Sequence, residues 1–100
     1  MIDIDEVRYR AVHDARKDFD LFVENCSDDE LITKFVDFRN EYHEWMQADD
    51  LEEDVARKYA NIHYVSRFMD LLAGEIAARL ISKLGYDLDE NGYLVLKSDT

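Results

Sequence analysis

One hundred residues with 47% hydrophobic and 36% charged side chains describe a single domain, residues 1–100, with one modest core, and exclude disorder by composition. The net charge of −12, from 24 acidic and 12 basic side chains, opposes direct contact with nucleic acid or an anionic membrane, because a phosphate binder needs surplus Lys and Arg. A single cysteine excludes an intramolecular disulfide, and no apolar run approaches the ~18 residues of a membrane span.

The absence of proline and the presence of only three glycines predict long regular elements with few loops. The opening "MIDIDEVRYR" is acidic where a secretion signal is basic and then apolar, so the expected address is cytoplasmic, or the host cytoplasm if the chain is phage-encoded.

A first helix is expected over about 4–25. Ile4, Val7, Ala11, Ala15, Phe19, Phe22 and Cys26 recur at steps of three and four and form one apolar stripe. Asp3, three residues before Glu6, has the spacing of a capping box, and Ile2 with Val7 that of a hydrophobic staple.

A second helix is expected over about 28–47. Ser27 and Glu30 form the best capping-box match in the chain, with Cys26 and Leu31 as the staple. Leu31, Phe35, Phe38, Tyr42 and Trp45 line one face, and Ile32, Val36 and Met46 are expected to widen it.

A third helix is expected over about 51–84, with Asp50 and Glu53 as a looser capping pair. Val55, Tyr59, Ile62, Ser66, Met69, Ala73, Ile76 and Leu80 alternate steps of four and three, a coiled-coil-like seam beside a second stripe of Val65, Phe68 and Leu72. Arg79 and Lys83 suit the negative helix end, and Gly85 suits the position after it. Such a helix is roughly 51 Å long against roughly 33 Å for the first. It therefore either bends near Gly74 or is covered by a second copy in a symmetric dimer.

The segment "LGYDLDENGYLVLKSDT" admits two readings. Asp87, Asp89, Asn91, Gly92 and Leu94 follow a calcium-binding EF-hand loop, but its twelfth position, which needs a bidentate Glu, is Ser98. The preferred reading is a hairpin over about 86–97, with a type I turn at Glu90–Asn91 and Gly92 in the left-handed position. That register pairs Leu88 with Leu94 and Tyr86 with Leu96. It puts all four on one face, expected to lie on the helices, while the free strand edge is open to a partner. The fold expected is thus mainly α: a three-helix bundle with a long third helix and a C-terminal β-hairpin.

Catalytic patterns are weak. No residue three before or four after His13, His43 or His63 completes a helical metal pair. Glu41 and Glu44 supply the ExxE half of a magnesium-dependent nucleotide pyrophosphatase pattern, but no Glu has an Asp three residues later. Cys26 sits beside a helix start, which favours a thiolate, but Asp28, Asp29 and Glu30 follow it and oppose one. Neither a nucleophilic serine motif nor a glycine-rich phosphate loop occurs. The expectation is a non-enzyme without cofactor or metal.

The charge is uneven. Residues 1–50 carry 15 acidic and 6 basic side chains, residues 51–84 carry 5 of each, and residues 85–100 carry 4 and 1. The densest acids, Asp28, Asp29 and Glu30 with Asp49, Asp50, Glu52, Glu53 and Asp54, are the candidate partner-binding residues, although carboxylates at helix starts also stabilise the helices themselves. The expected function is a small acidic inhibitor that occupies the basic, nucleic-acid-binding surface of another protein. Phage anti-defence proteins, such as anti-CRISPR and anti-restriction proteins, and immunity or antitoxin proteins are of this general kind. The alternatives are a dimeric structural or assembly protein, joined through the third helix or the hairpin edge, and, more remotely, a metal-dependent enzyme.

Overall fold

The structure is a computed structural model that describes residues 3–48 and 55–97. Three helices, α1 (Ile4–Val23), α2 (Asp28–Gln47) and α3 (Val55–Lys83), precede two short strands, β1 (Tyr86–Leu88) and β2 (Leu94–Leu96). The expected order and class are therefore those observed.

Local chemistry sets the helix starts. Asp3 caps α1 by accepting the backbone N–H groups of Asp5 and Glu6 at 3.1 and 3.2 Å, while Glu6 turns outward to pair with Arg10 instead of closing the box. Ser27 and Glu30 form the complete reciprocal box at α2. The expected Asp50/Glu53 cap and Ile2 staple lie outside the described residues. At the far end of α3, the Leu84 and Gly85 N–H groups return to Leu80 and Ser82, and Gly85 adopts φ +94°, a conformation that side-chain-bearing residues resist.

α3 is the spine. Ascending contacts from the pair Asp18 and Tyr64 to the pair Phe19 and Phe68 run α1 parallel to it. Descending contacts run α2 antiparallel, with Asp28 at Arg79, Phe38 at Tyr64 and Phe68, and the Ala48 carbonyl at Lys58. α1 and α2 each pack extensively on α3 and hardly on one another. The result is an elongated molecule of 61 × 27 × 21 Å with a radius of gyration of 17.2 Å, against roughly 13 Å for a compact chain of this length.

The deepest side chains come from all three helices, with α3 supplying the most. Leu72 and Val65 are 0% and 1% exposed, joined by Phe68, Ile62, Ala15, Phe19 and Leu31. Phe68 is the hub, with its ring centroid 4.7 Å from Phe38, 5.9 Å from Phe19 and from Tyr64, and 6.2 Å from Phe22. Of the two apolar stripes expected on α3, the more regular seam is the less buried. Ile62 is buried, but Ser66 and Met69 are half-buried and Ala73 and Leu80 exposed. Phe68 and Leu72 of the second stripe take the centre because Ala15 and Phe19 of α1 and Leu31 of α2 converge on them, and Val65 is buried on the same stripe. Ile32, Val36 and Met46, expected to widen the buried face of α2, are instead 46%, 47% and 54% exposed. α3 runs through Gly74 without interruption.

The hairpin has the expected register, with Tyr86 opposite Leu96, Asp87 opposite Val95 and Leu88 opposite Leu94. Gly92 takes φ +84°, and Asp89 accepts the Asn91 and Tyr93 N–H groups at 2.9 Å each. Its apolar face does not lie on the helices, however. Tyr86, Leu88, Leu94 and Leu96 are all exposed, the leucines by 53% to 68%. The reason is the length of α3: α1 has ended at Val23 and α2 begins opposite Arg79 and Lys83, so no helix extends beyond the α3 terminus to cover the strands.

Candidate functional site

Because α1 and α2 stand apart on α3, a groove runs between them. Its floor is the side of α3 that carries Arg57, Asn61 and Tyr64, and a cavity of about 560 Å³ opens between this floor and Glu6, Arg10 and Asp14 of α1. From α2, Phe38 reaches Tyr64, with ring centroids 6.3 Å apart. The Lys34 ammonium lies 5.2 Å from the Phe22 ring of α1 and 5.4 Å from the Phe38 ring, bridging the two walls. A second concavity of about 630 Å³ lies along Asp37, Glu41, Glu44 and Trp45.

Tyr64 marks the centre. Its hydroxyl donates a 2.6 Å hydrogen bond to Asp18. Its pKa is held well above the ordinary value by burial first, then by the bond to Asp18 and the charges of Asp18, Asp14 and Glu41. Asp18 thus holds the phenol directly, while Asp14 of α1 and Glu41 of α2 add to the negative field around it. Trp45 adds an indole N–H that donates to Glu41 at 3.4 Å. The lining of the 560 Å³ cavity thus sets the carboxylates of Asp3, Glu6 and Asp14 beside the guanidinium groups of Arg10 and Arg57, with the Tyr64 ring among them.

The acids singled out from sequence divide. Asp28 is engaged inside the molecule: it accepts from Arg79 Nη1 at 2.9 Å and from Lys83 Nζ, which hold its carboxyl below the ordinary range. Glu30 closes the cap on Ser27, and its carboxyl is also held low by that backbone N–H. Asp29 is exposed in the first turn of α2. Asp49, Asp50, Glu52, Glu53 and Asp54 lie outside the described residues. Of the acids beside the two concavities, Asp14, Asp18 and Asp37 were not singled out from sequence, and Glu41 and Glu44 were considered only as half of a metal-binding pattern and not as partner-binding residues. Their signal was present in the sequence as helical steps of three and four directly beside the core positions Ala15, Phe19, Phe38 and Tyr42.

Among the described residues, no group of three or more His, Cys, Asp or Glu side chains is placed to hold a metal ion, and no helix is long and apolar enough to cross a membrane. Asp87 and Asp89 each turn Oδ1 to backbone N–H groups of the hairpin. Cys26 packs under Arg79, whose Nη2 lies 3.3 Å from its sulfur. The chain matches no family model, no curated protein and no solved structure.

Proposed function

We propose that this chain is a non-enzymatic binding protein that occupies the basic, nucleic-acid-binding surface of a partner protein and so inhibits it. The observation that carries this reading is the negative field that Asp14 and Asp18 from α1 and Glu41 from α2 set around Tyr64. Carboxylates on two rigid helices hold fixed spacings, so they can replace phosphates along a basic groove without a large ordering cost. Residues 1–50 contribute −9 of the net −12, which directs the field to the α1 and α2 side. An anti-defence, immunity or antitoxin role belongs to this reading as the kind of partner relationship it serves.

The test is capture on the immobilised chain from a host lysate, at low and high salt, with duplex DNA as competitor. Retained proteins should be basic, should release as salt rises, and should be displaced by DNA. The combined variant Asp14→Asn, Asp18→Asn, Glu41→Gln should lose them. Partners that withstand salt, DNA and this variant would rule the reading out.

A further inference from the structure

The C-terminal end of the molecule is apolar and uncovered. Tyr86, Leu88, Leu94 and Leu96 form one bare face of the hairpin, at 39%, 63%, 53% and 68% exposure. Leu80 and Leu84, one helical turn apart at the end of α3, are 56% and 66% exposed, and Ile32 beside Leu80 is 46% exposed. A two-stranded hairpin of this length is marginal by itself, and large apolar patches on a monomer mark an interface. We propose that the occupant of this surface is a second copy of the chain, docked hairpin to hairpin about a two-fold axis.

Two observations favour a second copy over a different partner. The first is charge. This end carries three cations, Arg79, Lys83 and Lys97, and four anions, Asp28, which pairs with the first two, and Asp87, Asp89 and Glu90, a net of −1 in a chain of net charge −12. A two-fold interface sets a patch against itself, so a large net charge there would repel its own copy; a nearly neutral patch does not. The same near-neutrality gives a basic partner no reason to choose this end. The second is area. The seven side chains expose on the order of 100 Å² each, close to the roughly 800 Å² per partner of a standard interface. The arrangement leaves the groove between α1 and α2 open, so it stands independently of the function proposed above.

The test is sedimentation velocity of the full chain from low micromolar concentration upward, beside the variant Leu88→Lys, Leu96→Lys. Both leucines are already more than 60% exposed in the single chain, so the substitutions leave the helical core intact, as far-UV circular dichroism should verify. The wild type should dimerise, with a Tm that rises with concentration and little change in association on adding salt. The variant should weaken dimerisation by more than about a hundredfold. A wild type that stays monomeric throughout, a dimer that salt dissolves, or a variant that dimerises as well as the wild type would each overturn the proposal.

Discussion

Arg79 binds Asp28 across fifty-one positions of sequence, Nη1 to Oδ1 at 2.9 Å, and the same nitrogen donates to the Cys26 carbonyl at 3.1 Å. Its Nε is held by Glu75 at 3.0 Å, so the guanidinium is aimed before it meets the turn. One side chain of α3 thereby pins the corner where α1 becomes α2. Arg79 is 24% exposed and Lys83, the other cation on Asp28, 64%. Arg79→Ala should therefore lower Tm clearly more than Lys83→Ala, and hydrogen exchange in 24–30 should rise selectively in the first variant. Equal effects would show that the corner is held by its cap alone.

Acid should weaken the same corner. The folded Asp28 carboxyl titrates below its ordinary value because Lys83 and Arg79 stabilise the anion. Its contribution to stability is present above the unfolded pKa, near 4, and fades as pH falls through the lower folded value. His63 adds to the loss at higher pH: burial first, then Arg8, depresses its folded pKa below 6.5, so the unfolded chain takes up the proton first as pH drops. A plot of Tm against pH should fall below pH 6.5 and again below pH 4, and Asp28→Asn should flatten the lower limb.

Alkali should act through Tyr64. Its folded pKa lies above the unfolded value of 10.0, so the unfolded chain loses the proton first and stability declines as pH rises past 10. In an ultraviolet titration, one of the six tyrosines should ionise late, together with unfolding. Tyr64→Phe should remove that late step and lose the 2.6 Å bond to Asp18, at a cost of about 1 kcal/mol.

The core should be concentrated on α3. Leu72→Ala should cost about 2–5 kcal/mol and Phe68→Ala about 3–5 kcal/mol, a large share of the ~5–15 kcal/mol of a small domain. Met69→Ala, on the regular seam but only half-buried, should cost clearly less in the same urea melts.

Removing the turn should separate hairpin from bundle. Gly92 at φ +84° meets open space around its absent Cβ, so an alanine there is strained by backbone conformation and not by crowding. Gly92→Ala should disorder the strands by NMR at a cost of about 1–2 kcal/mol to the hairpin, yet leave the helical melt of the monomer unchanged, because of the helices only α3 contacts β1 to any extent.

What the sequence by itself determined was local. Ser27 and Glu30 bond to each other's backbone within one turn, the hairpin register follows from Gly92 and the alternation around it, and three apolar periodicities make three helices. Periodicity identifies an apolar stripe but not its neighbour. Phe68 and Leu72 became the centre, and the more regular seam the side, only because α1 and α2 converge on the former. Likewise Asp28 was an acid like any other until Arg79 and Lys83 arrived from the far end of α3 and neutralised it. Asp14, Asp18 and Glu41 came to bear on one phenol only when α1 and α2 were set beside Tyr64. Tertiary structure decided these questions because burial and charge depend on distances between elements, whereas helix and turn formation depends on residues within a few positions of each other.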